Sequence, residues 1–242
     1  MQKQLLFILT LHFLTANFGF AQNIEYLFNN GIEKHKQKNY SGAINDFTQA
    51  IIQKPEIGIL YYCRGLSYFE SKKFKESTSD FSKAVEIKPL FFDAYYRRGI
   101  SFQAINNHKQ AIEDFTKVIV IEPDNHECYL NRGISKQALF DYLGAINDYS
   151  TVIELDSLNI AALYNRAICK YSLNDFGGVI ADLDIVLHFD PTLIEGYYYR
   201  GMALIRFGKP YPGCDDIHYA KSLGRNGLDE IIRDYCNLPK RD

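Results

Sequence analysis

Small and large apolar residues recur along this chain at a fixed interval of 34 positions. Gly31, Gly65, Gly99 and Gly133 keep that spacing, and two further steps reach Ala167 and Gly201. Phe47, Phe81, Phe115 and Tyr149 follow the same beat, as do Pro55, Pro89 and Pro123, then Pro191 after one skipped step. Counting from Ile24 as position 1 gives six units: 24–57, 58–91, 92–125, 126–159, 160–193 and 194–227. Positions 8, 20 and 27 are small or β-branched in each, such as Gly65, Ser77 and Ala84 in the second. Position 24 is large: Phe47, Phe81, Phe115, Tyr149, Leu183, Ile217.

That pattern predicts a helical hairpin in each unit. Positions 4, 8 and 11 share one face of a first helix, and 20, 24 and 27 share one face of a second. Small residues at 8 and 20 let two helix backbones approach, and bulky ones at 4 and 24 fill the remaining space. The turn between them holds Asn39, Asn106-Asn107 or Asn174-Asp175, all turn-prone. Proline at position 32 is expected to close the second helix, because it cannot continue one and restricts its predecessor. Ser157 and Arg225 replace it in the fourth and sixth units. One hairpin cannot bury both apolar faces alone, so neighbouring hairpins must stack.

The small, small, aromatic, small, proline spacing resembles the tetratricopeptide repeat over residues 22–227. The resemblance implies an all-α fold, a right-handed α-solenoid of six helical hairpins. The family's usual Trp at position 4 is absent; Leu27, Tyr61, Tyr95, Tyr129, Leu163 and Tyr197 stand there. Residues 228–242 read as a C-terminal capping helix and tail. Leu228, Ile231, Ile232 and Tyr235 form an i, i+3, i+4, i+7 stripe suited to covering the last hairpin.

Residues 1–21 read differently. Lys3 precedes a mostly apolar run from Leu5 to Phe20, ending in Gly19-Phe20-Ala21. This is the layout of a secretory signal peptide cleaved after Ala21, and it places the mature chain in the periplasm or outside the cell. A buried N-terminal helix is the bland alternative. No other stretch is long and apolar enough to span a bilayer. The ending Gly213-Cys214, Leu223-Gly224, Tyr235-Cys236 is similar to the ends of some exported bacterial repeat proteins. A disulfide between Cys214 and Cys236, one on the last repeat helix and one on the cap, would close a loop worth about 3 kcal/mol in the chain-entropy model. The alternative is two buried thiols. Cys63, Cys128 and Cys169 occupy different unit positions and are expected unpaired.

Charge recurs as well. Position 7 carries Arg64, Arg98, Arg132, Arg166 and Arg200; position 23 carries Asp46, Asp80, Asp114, Asp148, Asp182 and Asp216. A ladder of ion pairs fits, within or between units, since the planar guanidinium matches a carboxylate. A row of anion-binding arginines is the functional alternative.

Function is less legible. The composition is 47% hydrophobic and 14% aromatic, with a net charge of -2 and no block of like charge, so neither nucleic acid nor an anionic membrane is indicated as partner. There is no HExxH, GxSxG or phosphate loop, and the six histidines are scattered. His126 with Cys128, or Cys214 with His218, lacks a second pair for a metal. Asn39-Tyr40-Ser41 matches a glycosylation acceptor. No catalytic residue, cofactor or metal is predicted.

The family resemblance implies a concave groove lined by first-helix positions. There it places Tyr62, Tyr96, Arg97, Asn131, Tyr164 and Asn165 as contacts for an extended peptide or protein segment. The alternative for this stripe is packing between helices. The basic clamp with which some members hold acidic chain ends is missing: Phe28 and Ile32, then Tyr96 and Ile100, occupy its positions. The expectation is a non-catalytic protein–protein scaffold. A structural subunit of a cell-envelope complex, binding through its convex face or edges, is the alternative. Oligomeric state is left open.

Overall fold

The computed structural model describes residues 23–237, so the signal-peptide reading of residues 1–21 and the tail beyond Asn237 lie outside the described residues. The described chain is helical throughout, with no strand. After a helix over 23–36 (α1) come α2 (Tyr40–Gln53), α3 (Gly58–Glu70), α4 (Phe74–Ile87), α5 (Phe92–Ala104), α6 (His108–Ile121) and α7 (His126–Ala138). Then follow α8 (Tyr142–Leu155), α9 (Ile160–Ser172), α10 (Phe176–Phe189), α11 (Ile194–Arg206) and α12 (Pro210–Ser222). A short α13 (Asp229–Ile231) runs directly into a π-helical turn, Ile232–Cys236. The helices form six consecutive antiparallel hairpins. The chain divides into two compact units at Val118–Ile119, inside α6.

Each hairpin turn is built alike. The backbone N–H two residues past the first helix's C-cap bonds back five residues (Asn39 to Lys34, Lys73 to Tyr68, Asp141 to Lys136, Lys209 to Leu204), and the residue before it takes a positive φ. This is the Schellman closure, which favours glycine or asparagine at that place. In the sixth hairpin it is Gly208 (φ 81°), but in the fourth it is Phe140 (φ 62°). The next residue caps the second helix. The side chains of Asn39, Asp141 and Asp175 accept from the N–H of Gly42, Gly144 and Gly178. A Cβ on any of those three glycines would collide with the capping side chain, so cap and glycine occur together. Asn39, the sequence's glycosylation candidate, thus serves as a helix cap.

The proline reading is corrected at the second helices. α8 ends at the same unit position as α2, α4, α6 and α10 although Ser157 replaces proline there. At Lys54, Lys88, Asp156 and Asp190 the C-cap residue leaves the helical region (Asp156, φ -141°, ψ 93°) and returns its N–H to the carbonyl four residues back, so α8 ends where these others do without a proline.

Position 8 is glycine for a more specific reason than close helix approach. In the first four hairpins a Cβ there would meet the aromatic ring at position 24: 2.8 Å at Gly31, Gly65 and Gly99, and 2.7 Å at Gly133. Phe47, Phe81, Phe115 and Tyr149 are fully buried, each lying flat on its glycine. The fifth hairpin pairs Ala167 with the thinner Leu183. In the sixth, backbones touch: a Cβ on Gly201 would lie 2.8 Å from the Gly213 carbonyl.

Cys214 and Cys236 form a disulfide, S–S 2.05 Å, tying α12 to the C-terminal turn. Leu228 is buried beside Met202, Ile217 and Ala220, with Ile231 and Ile232 half-buried over them. Tyr235, expected on the same stripe, is instead 42% exposed. The π-turn's i to i+5 bonding underwinds the helix, so the residue seven positions on leaves the face. Replacing both cysteines with serine is expected to cost about 2–4 kcal/mol, from the loop the crosslink closes. Urea unfolding should show this as protection lost first from residues 214–237 in hydrogen exchange.

Candidate functional site

The charged ladder is part of the core. Arg64, Arg98, Arg132, Arg166 and Arg200 each donate through Nε and Nη2 to both carboxylate oxygens of the Asp sixteen residues on, at 2.6–3.0 Å. These pairs link the two helices of one hairpin. The remaining Nη1 reaches back to the preceding hairpin: Arg64 to Thr48, Arg98 to Ser82, Arg166 to Ser150, Arg200 to Asp184. The tyrosine replacing the family's Trp lies under the guanidinium, 5.3 Å away at Tyr95–Arg98 and 5.6 Å at Tyr197–Arg200. Position 11 adds a second cation to the same carboxylate, Lys34 on Asp46, Lys136 on Asp148 and Lys170 on Asp182. Where position 11 is aromatic, Tyr68 and Phe102 face the arginine instead. Burial pushes the Asp80 and Asp114 carboxyls up, and Arg64 and Arg98 pull part of that back. Ionising these carboxyls therefore costs the fold something, and the ladder fixes register more than it adds net stability. With each fork bound to both oxygens of its own aspartate, the arginines are not a row open to anions.

The expected groove residues fall into two groups. In the first unit, the Tyr62 ring packs 4.6 Å from Phe91 and 5.7 Å from Phe81. The Arg97 guanidinium lies near the Tyr62 hydroxyl, whose pKa it pulls down, and 5.8 Å over the Tyr96 ring, so it stands between the other two predicted residues. Tyr96 packs on Phe115 at 6.0 Å. Burial raises the Tyr62 hydroxyl's pKa. These tyrosines pack on neighbouring aromatic rings, and part of each side chain stays open. Beside them, Ile24, Phe28, Ile57, Ile59 and Leu60 line an apolar cleft of about 380 Å³ between α1 and α3.

In the second unit, Tyr164 packs with Tyr171 and Tyr199 against the cluster around Leu163 and Ala203. Tyr171 and Tyr199 meet edge-on at 5.4 Å, and Tyr198 and Tyr199 at 5.1 Å. Asn165 is half-buried on the same helix. Asn131 donates to the Glu127 carbonyl one turn back. The sequence reading missed Arg225. It lies 3.7 Å over the Tyr198 ring, pairs with Glu195, and buries its Nε without an acceptor. Its only sequence signal is that it replaces proline at position 32.

Other candidate chemistry disperses. Cys63, Cys128 and Cys169 are buried, and burial pushes their thiols up to about 12, leaving little thiolate. Cys214 is taken up in the disulfide and offers no thiolate beside His218. Among the described residues no three His, Cys, Asp or Glu side chains converge as a metal site, and no helix is long and apolar enough to cross a membrane.

Comparison with known proteins agrees with this architecture. The family model for the tetratricopeptide repeat matches residues 92–125, the third hairpin. No curated protein sequence matches the chain. Among solved structures, a tetratricopeptide repeat protein from Parabacteroides merdae is similar with a TM-score of 0.68 at 15% identity, over 88% of this chain and 97% of that one. YrrB, described as a TPR protein with an unusual peptide-binding site, gives 0.67 at 18% identity over 75% and 94%. MamA from Desulfovibrio magneticus RS-1 gives 0.67 at 15% identity over 71% and 97%. At such identities the likeness concerns the fold: the chain carries a tetratricopeptide repeat at residues 92–125 and shares the helical-hairpin fold of these repeat proteins.

Proposed function

We propose that the chain is a non-catalytic scaffold that binds an extended peptide, or an exposed segment of another protein, along the face lined by the first helices of its hairpins. The observation carrying this reading is the pairing of open tyrosine surface with an arginine in each unit. Arg97 lies with Tyr62 and Tyr96, and Arg225 with Tyr198 near Tyr164. Tyrosine offers broad contact area at small entropic cost and one hydrogen-bonding tip. Arg225 lies over Tyr198 beside Glu195 and adds a partly exposed cation to that tyrosine surface. Peptide binding by YrrB, a neighbour of the same fold, supports the reading. Export of the mature chain is proposed on the layout of residues 1–21, and a disulfide at Cys214–Cys236 suits an oxidising compartment.

The test is selection from a displayed random-peptide library, followed by titration of the best binders. Wild type is expected to bind, and Tyr96→Ala with Tyr164→Ala to weaken binding at least about tenfold with helicity unchanged. Equal affinity in the double variant would sink the groove reading. A pull-down from the envelope fraction with mass spectrometry would then name the partner. A second reading, attachment to an envelope complex through convex face or edges, is favoured by exposed apolar turns in the second unit.

A further inference from the structure

The two units differ in surface character. Within 23–118 there are fourteen Lys and Arg against eleven Asp and Glu, a net of +3; within 119–237 there are ten against seventeen, a net of -7. The contrast is sharpest at the turns inside the hairpins. In the first unit these turns carry exposed Lys36, Lys38, Lys72, Lys73 and Lys75, against Glu70 and Glu76. In the second unit the turns instead carry exposed apolar residues, at the place held in the first unit by Gln37, Ser71 and Ile105. Leu139, Leu173 and Phe207 occupy one equivalent place in three successive turns, exposed by 39%, 42% and 52%. Phe140 and Leu143 add 77% and 68% exposure beside Leu139. Asp141 and Asp175, both exposed helix caps, border the ridge.

Phe140 is the informative residue. It stands in the left-handed turn position held elsewhere by Lys38, Lys72, Asn106, Asn174 and Gly208. That conformation disfavours a bulky side chain. The ring gains little in return: it is mostly in solvent, with an edge contact to Tyr142 at 6.2 Å. Asparagine would suit this turn better, and packing within the chain gives no reason for an aromatic here. An apolar ridge edged with carboxylates fits a surface of lysines whose stems cover apolar area while their heads pair. The chain itself carries such a surface.

We propose that the turn edge of the second unit is a self-association surface that takes the lysine-bearing turn edge of the first unit from a second copy of this chain. It is separate from the first-helix face and stands or falls independently of the peptide reading.

Sedimentation velocity over a range of protein concentrations, at low and at high salt, tests it. Wild type is expected to associate at low salt and to dissociate as salt rises, since exposed charges are screened. Phe140→Asn should shift the association midpoint at least about tenfold while melting no lower than wild type. That combination separates a contact role from a folding role. Lys73→Glu with Lys75→Glu, and separately Asp141→Asn with Asp175→Asn, which keeps both caps, should weaken association too. A wild type that stays monomeric at low salt, or a Phe140→Asn variant that associates as wild type does, overturns the proposal. A monomer whose edge instead takes up a synthetic leucine–lysine amphipathic helix, lost in Phe140→Asn, overturns it as well and gives the edge to a cationic partner helix.

Discussion

Asp182→Ala is expected to destabilise the second unit by about 3–5 kcal/mol, because it strands two cations at once. Arg166 donates to both Asp182 oxygens and Lys170 to one of them, and the Asp182 side chain is only 4% exposed. Alanine would leave a guanidinium and an ammonium facing each other across a space closed to water. Asp184→Ala is the matched control. Asp184 also pairs with an arginine, Arg200, but its side chain is 58% exposed, and such pairs contribute about 0–1 kcal/mol. Urea unfolding followed by circular dichroism on both variants measures the difference. Equal losses would mean that the ladder's aspartates matter by charge alone, whatever their burial.

Phe81→Ala is expected to cost a similar amount, about 3–5 kcal/mol, through the cavity left over Gly65. The ring is fully buried and fills the space between α3 and α4. Gly65→Ala should cost about 1–3 kcal/mol for the opposite reason, since its Cβ would press on Phe81 Cε1 at 2.8 Å. The two positions are then coupled: Gly65→Ala with Phe81→Leu should lose clearly less than the sum of its single changes. The fifth hairpin already uses that solution, with Ala167 under Leu183, both buried. Strict additivity in a double-mutant cycle would show that the glycine has another cause.

The hairpins were legible because their period is carried by residues with single physical meanings. Glycine at 8, an aromatic at 24, and Arg at 7 against Asp at 23 leave few alternative packings. Reasons within the pattern were harder to read. Position 8 is glycine to admit a ring, and α8 ends in register without the proline at 32, as Ser157 makes plain. Lysine at position 11 looks like an ordinary helical cation until Asp148 and Asp182 are seen to take it as a second partner. The binding face was the least legible. Tyrosine is the same residue whether it packs or binds, and Tyr62 and Tyr164 each pack on neighbours while part of the side chain stays open. Arg225 breaks the period, so a search for recurrence passes over it. Tyr235 left its stripe because a π-turn is not encoded in apolar spacing. Phe140 was hidden because an exposed aromatic in a polar turn belongs to no repeat rule.

In Arg64, Arg98, Arg166 and Arg200 the guanidinium's third donor points toward the amino-terminal neighbour. Shortened versions of the protein are therefore not equivalent. Removing modules from the carboxyl end leaves every surviving fork fully satisfied and needs only a transplanted lid. Removing them from the front deprives the new leading module of its hydroxyl or carboxylate and exposes a charge designed to be covered. Minimal versions are best cut from behind.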